Sequence, residues 1–199
     1  MSHTIVLATG NTGKVLEFNS LLAGLGLNIR PQSDFAVPEA EENGLSFIEN
    51  ALIKARNAAR HTGLPAMADD SGIEVDALNG APGIYSARYA GLNKSSADNN
   101  RKLLEALGDM PQEQRTARFQ CVMAYLRHAE DPTPIIAQGT WEGVILDAPR
   151  GEHGFGYDPI FWVPNQQRSA AELPEAVKNT LSHRALALQS LLAQMKSRP

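Results

Sequence analysis

The sequence contains one cysteine in 199 residues, so these residues cannot close a disulfide among themselves and must hold their fold without a covalent cross-link. That residue, Cys121, lies in the alternating segment Ala117, Phe119, Cys121, Met123, Tyr125, where a buried and inert thiol is expected. Nowhere does an apolar run approach the ~20 residues that a membrane-spanning helix needs, so no membrane partner is expected. The start, Met1-Ser2-His3-Thr4 followed by a short apolar run, lacks the charged segment and long apolar stretch of a signal peptide, and a cytoplasmic location is expected. An excess of basic residues is also missing. With 18 Lys and Arg against 22 Asp and Glu, the formal net charge of -4 disfavours a nucleic acid polymer as partner, and any phosphate chemistry must be local. Repeats, low-complexity tracts and obvious linkers are absent too. A content of 43% hydrophobic and 20% charged residues suits a single domain over residues 1–199 with a continuous core.

What is present reads as alternating strands and helices. Ile5-Val6-Leu7-Ala8 is a continuous apolar run closed by Thr9-Gly10-Asn11-Thr12-Gly13, which predicts a buried strand entering a turn. From Lys14, the residues Val15, Phe18, Leu21, Leu22 and Leu25 recur at helical spacing, and Gly24 and Gly26 mark the end. Residues 34–44 are polar and acidic and contain Pro38, so they predict a loop. Ser46 then caps a second helix with Glu49 three residues on. Its apolar face comprises Ile48, Ala51, Leu52, Ala55 and Ala59, with Lys54 at the edge of the stripe. Pro65 to Ala68 predicts a short strand whose end delivers Asp69-Asp70-Ser71-Gly72, after which Ile73 and Val75 resume the extended pattern. Further on, Leu103, Leu104 and Leu107 predict a helix before Gly108. Ala117 to Tyr125 and Pro134 to Leu146 predict two partner strands. A final helix starts at Ser182, its N-cap, and carries Ala185, Leu188, Leu192 and Met195 on one face. The fold class is α/β, with two lobes around a cleft.

Several clusters carry chemistry. In Thr9-Gly10-Asn11-Thr12-Gly13-Lys14 a strand gives way to a helix whose free N–H groups suit an anion, and Lys14 adds a point charge; the spacing is not that of a Walker A loop. A plain strand-to-helix turn with a solvated lysine fits the same residues. The adjacent carboxylates of Asp69 and Asp70 would repel on a buried strand unless a cation, donors or protonation compensated. Oxygen ligands of that kind suit Mg²⁺, and an exposed acidic turn is the plain alternative. The acidic loop Glu39-Ala40-Glu41-Glu42 could bring a second carboxylate to the metal, although a solvated charge run is its ordinary reading, and Lys54 alone would be an ordinary surface lysine. Gly154-Phe155-Gly156-Tyr157-Asp158-Pro159 flanks an aromatic ring with glycines, so Phe155 could stack on a base, or the segment could be a β-bulge. Lys178, His183 and Arg184 place three potential donors near a helix start, suited to purine acceptors or phosphate oxygens.

In order along the chain, these segments resemble the dITP/XTP pyrophosphatase and inosine triphosphatase family, which hydrolyses non-standard purine nucleoside triphosphates. The resemblance rests on Thr9-Gly10-Asn11 with Lys14, the block from Glu41 through Ser46-Phe47 and Glu49-Asn50-Ala51 to Lys54, and Ala68-Asp69-Asp70-Ser71-Gly72. It continues through Pro82-Gly83 with Tyr85-Ser86-Ala87-Arg88, Phe155-Gly156-Tyr157-Asp158-Pro159 and Ser182-His183-Arg184. It covers nearly the whole chain. It implies a homodimer whose subunits have an elongated mixed central sheet with flanking helices and two lobes, with a nucleotide-binding cleft between them. It also implies Mg²⁺ as cofactor. Asp70 would be proton acceptor and metal ligand, with Lys14 and Lys54 neutralising charge and Glu41 or Glu42 as a further metal ligand. Thr9, Gly10, Asn11, Thr12, Gly13 and Lys14 would hold the triphosphate, and Ser71 would contact substrate. Phe155, Gly156, Tyr157, Asp158, Lys178, His183 and Arg184 would contact the base side.

Overall fold

The computed structural model describes residues 4–22 and 26–197. Among these residues seven strands hydrogen-bond in the order β2-β1-β3-β4-β5-β6-β7: β1 (Thr4–Leu7), β2 (Asn28–Pro31), β3 (Ala66–Val75), β4 (Thr116–Leu126), β5 (Ile135–Ile145), β6 (Phe161–Val163) and β7 (Arg168–Ser169). The sheet is mixed: β1 runs parallel to β2 and β3, whereas β6 runs antiparallel to β5 and β7. Among the described residues five α-helices accompany it: α1 (Thr12–Leu22), α2 (Phe47–Thr62), α3 (Ser96–Leu107), α4 (Glu175–Leu181) and α5 (His183–Ser197). The chain forms two compact units. One takes the chain up to Asp70, Cys121–Gly139 and the chain from Arg184, and the other takes Ser71–Gln120 and Thr140–His183.

In the first unit the apolar run of β1 is explained by burial on both faces. Ile5 and Leu7 pack with Phe18, Met67, Leu188 and Leu191, while Val6 and Ala8 pack with Ala51, Ala55, Ala58 and Ala68. Small residues on α2 suit that second cluster, since alanine is the best helix former and adds little bulk at the contact. Ser46 caps α2 by accepting from the Glu49 N–H at 3.3 Å, and the Glu49 carboxylate accepts from Ser46 Oγ at 2.7 Å. Gly63 ends the helix with a φ of 68°, and its N–H donates to Ala59. Ile48, expected on the apolar face, is exposed, because the buried cluster on this helix begins only at Ala51. Gly24 and Leu25, expected at the end of α1, lie outside the described residues, and Gly26, the other expected end marker, has a φ of 68°. Cys121 is buried, and burial pushes its thiol well above the ordinary range, with the Asp69 charge adding to the effect.

In the second unit Ile73, Val75, Leu103, Phe119, Trp141, Tyr157 and Phe161 form one core. The Phe119 and Phe161 rings lie 4.6 Å apart at a tilt of 53°, a favoured aromatic arrangement. Ser95 and Asp98 close a reciprocal capping box on α3. The short α4 carries no apolar repeat long enough to read from sequence; Ser182 closes it and stands immediately before α5.

A second departure from expectation lies at the acidic pair. The acidic pair does not sit where a strand stops: β3 runs unbroken from Ala66 to Val75 through Asp69, Asp70, Ser71 and Gly72. Cations meet both carboxylates, so the ladder continues through a stretch that charge repulsion would otherwise interrupt.

Candidate functional site

In the first unit the chain leaves β1 at Leu7 and turns through Thr9, Gly10 and Asn11 before α1 begins at Thr12. Thr9 Oγ1 accepts from the Asn11 N–H at 3.2 Å, and Asn11 Oδ1 accepts from the Lys14 N–H at 3.1 Å, so Asn11 acts as a helix cap. Gly10 cannot be replaced without movement, since a Cβ there would lie 2.1 Å from Glu39 Oε1. Glu39 is held in place by Gln32, whose Nε2 donates to Oε1 at 3.0 Å. A carboxylate against the Thr9–Asn11 turn was not anticipated from sequence, where Glu39 is one acidic loop residue among several.

Two neighbouring carboxylates on β3 have different partners. Asp69 is fully buried, with Oδ2 2.9 Å from Lys14 Nζ and 3.2 Å from Arg184 Nη2. Burial would push its carboxyl up, but Lys14 and Arg184 override that and hold it far below the usual carboxylate range. Arg184 Nη1 also pairs with Glu17, so its guanidinium spans two acids while almost wholly buried. Asp70 Oδ1 accepts from Lys54 Nζ at 2.8 Å, and the same ammonium reaches Glu42 Oε2 at 3.0 Å. Burial holds the Asp70 carboxyl above its ordinary value, against the opposing pull of Lys54. Burial also works against the charged Lys54, but Asp70, Asp69 and Glu42 outweigh it and the ammonium stays protonated. Glu41 is exposed, while its neighbour Glu42 turns toward Lys54.

The charge balance of this cluster constrains what it can bind. Lys14 and Arg184 match Asp69 and Glu17, whereas Lys54 alone faces two carboxylates. A polyphosphate brought here would deepen that deficit, which an added cation would offset. Among the described residues no three His, Cys, Asp or Glu side chains form a cage for a metal ion. Asp70 and Glu42 converge on one ammonium, and their carboxylates are hard oxygen donors of the kind that could hold a Mg²⁺ ion whose shell waters and phosphates complete.

The second unit holds the remaining expected residues except Arg184. Asp158 is buried, and its Oδ2 accepts from the Phe155 N–H at 2.8 Å and from Lys178 Nζ at 2.7 Å. The Lys178 ammonium lies 5.4 Å from the centroid of the half-buried Phe155 ring, within cation–π range. Gly154 at φ 76° and Gly156 at φ 63° let the chain fold back over Asp158, and a Cβ on Gly154 would lie 2.1 Å from Asp158 Oδ2. Tyr157 is a core residue whose hydroxyl donates to the Ser86 carbonyl at 2.8 Å. His183 stacks on Phe119 with centroids 4.7 Å apart and planes 10° apart. Ser71 is half-buried on β3. Asn100, which sequence reasoning passed over, donates from Nδ2 to the Gly156 carbonyl at 3.1 Å.

Residues 5–194 match the model of the Ham1 family. The chain belongs to the Ham1 family. It is 66% identical to a dITP/XTP pyrophosphatase of Thioalkalivibrio sulfidiphilus over 98% of this chain and 99% of that protein. It is also 57% identical to a dITP/XTP pyrophosphatase of Escherichia coli, over 97% of this chain and 98% of that one. Among solved structures, a Ham1 protein from Coxiella burnetii matches with a TM-score of 0.91 and 50% identity, each chain covered in full. This Ham1 chain therefore has the family's fold along its whole length, as the motifs implied.

Proposed function

We infer that this chain is a hydrolase that converts non-standard purine nucleoside triphosphates, dITP, ITP, XTP and dXTP, to the monophosphate and pyrophosphate. That activity keeps aberrant purines out of the pool from which DNA and RNA are made. The names of its relatives support the substrate class. The observation that carries the chemistry is the arrangement on β3, where two adjacent carboxylates are each met by a lysine from a different helix.

The reading divides the work between residues as follows. Asp70 is the proton acceptor, because burial raises the affinity of its carboxyl for a proton and so improves it as a base for water. Asp70 and Glu42 would hold a magnesium ion, which when bound supplies positive charge at the phosphate oxygens. Lys54, already fixed between those two carboxylates, neutralises charge that develops on the phosphates. Thr9 to Lys14 present the N-terminus of α1 to the distal phosphates, with Asp69 orienting the Lys14 ammonium. Ser71 contacts the substrate. Phe155 offers a ring for the base, and Lys178, fixed by Asp158, is a donor for a purine 6-keto oxygen. Adenine presents an amino group there and leaves such a donor unpaired, a loss of roughly 1–3 kcal/mol per contact. Gly156, Tyr157 and His183 complete the base side by shaping and supporting it, whereas Arg184, expected there too, holds Asp69 and through it Lys14.

The same reading makes the protein a cytoplasmic homodimer with no nucleic acid polymer or membrane as partner; among the described residues no helix is long and apolar enough to cross a membrane. Product analysis with Mg²⁺ and a side-by-side panel of ITP, XTP, dITP, ATP and GTP tests the function. Monophosphate and pyrophosphate from the first three, formed far faster than from ATP or GTP, is the expected result. Equal turnover of ATP and ITP, or binding of ITP without turnover, would overturn it.

A further inference from the structure

Two consecutive asparagines on α3 are both buried, and they use their amides differently. Asn99 engages both ends: Oδ1 accepts from the Ala90 N–H at 2.7 Å, and Nδ2 donates to the Ala87 carbonyl at 3.2 Å. It pins the segment before α3. Asn100 donates from Nδ2 to the Gly156 carbonyl, 56 residues on, while no described residue donates to its buried Oδ1. A buried amide oxygen left unpaired opposes folding, so packing alone would favour an apolar residue of similar size at this position.

The bond falls on the one residue between Phe155 and Tyr157, a glycine in the left-handed region. Its neighbours are anchored independently, Phe155 through its N–H to Asp158 and Tyr157 through its hydroxyl to Ser86. Gly156 has no side chain to fix the plane of its peptide, and the Asn100 amide fixes it instead. We propose that Asn100 is a positioning residue for base selection, acting through the Gly156 carbonyl to set the angle of the Phe155 ring. This rests on Phe155 meeting the base, as inferred above.

The test compares kcat/KM for ITP and ATP, together with inhibition by tripolyphosphate, a ligand without a base. In Asn100→Ala the ITP:ATP ratio falls at least fivefold through a raised KM for ITP, while the tripolyphosphate inhibition constant and the melting temperature stay near wild type. Asn100→Asp behaves like Asn100→Ala at neutral pH, where a carboxylate faces the Gly156 carbonyl without a proton to share. Its ratio recovers as acidification protonates that carboxyl and restores a donor, with wild type assayed at each pH as reference. A ratio within twofold of wild type in both folded variants overturns the proposal. So does a loss that falls equally on ITP, ATP and tripolyphosphate, or failure of both variants to fold, since each marks a packing role. If wild type itself does not prefer ITP to ATP, it is the functional reading that fails.

Discussion

Lys14 and Asp69 form a salt bridge of 2.9 Å in which the carboxylate has no solvent exposure. The pair belongs to a chain of four charges, with Arg184 joining Asp69 to Glu17. Removing the acid leaves two cations facing one remaining carboxylate. Asp69→Asn is therefore expected to destabilise the protein by about 3–5 kcal/mol, the penalty for breaking a buried ion pair from one side. Urea denaturation measures it. A change below about 1 kcal/mol would show that Lys14 and Arg184 find other partners or water.

Asp70 is a different case, although it is the next residue. Its partner Lys54 keeps Glu42 when the Asp70 charge is removed, so no cation is stranded. Asp70→Asn should lower turnover of ITP by about 10²- to 10⁴-fold, the range typical of a lost general base, and leave the urea midpoint close to wild type. Retained turnover in a folded Asp70→Asn protein would remove Asp70 from the mechanism. Together the two substitutions separate a structural carboxylate from a chemical one at adjacent positions.

This division is where the sequence was least legible. The run Ile5–Ala8 reads directly as a strand buried on both faces, and Ser46 with Glu49 reads as a helix start, because each signal lies within a few residues. The continuity of β3 through Asp69 does not read that way, because the guanidinium that neutralises it comes from 115 residues away. The same reasoning applies to Glu39 and Asn100. Neither differs from a surface residue in local pattern, and only the folded chain brings one against Gly10 and the other against Gly156.

Stability should depend on pH through Asp76. Hydrogen bonds from Arg118 and Thr116 hold its carboxyl down at about 2. A carboxylate whose pKa is lower folded than unfolded stabilises the fold fully above its unfolded value and loses that contribution as pH falls through the folded value. The window here runs from about 4 down to about 2. The pair is solvent-facing, so its contribution is at most about 1 kcal/mol. Arg118→Gln should thus be less stable than wild type at neutral pH, and the deficit should shrink as pH drops through that window. A deficit independent of pH would assign the effect of Arg118 to packing or to Glu142, its other partner.

The last prediction concerns which bond breaks. Monophosphate and pyrophosphate arise by two routes: water attacks the α-phosphorus and expels pyrophosphate, or it attacks the β-phosphorus and expels the monophosphate. The products are identical, but the charge develops in different places. In the first route it appears on the oxygen that leaves with the distal phosphates, and in the second on the oxygen that stays with the nucleoside. The functional reading puts the distal phosphates against Lys14 and the N-terminus of α1, where positive charge is already fixed by Asp69 and by the Asn11 cap. Stabilisation fixed in advance at the site where charge develops is the most effective kind, so attack at the α-phosphorus is expected. Hydrolysis of ITP in ¹⁸O-water, followed by mass spectrometry, should then place the label in the monophosphate. Label in pyrophosphate would move the attack to the β-phosphorus and reassign Lys14 and the α1 terminus to binding alone. Orthophosphate with IDP would mean cleavage at the γ-phosphorus, and the proposed roles of Asp70 and Lys54 would fall with it.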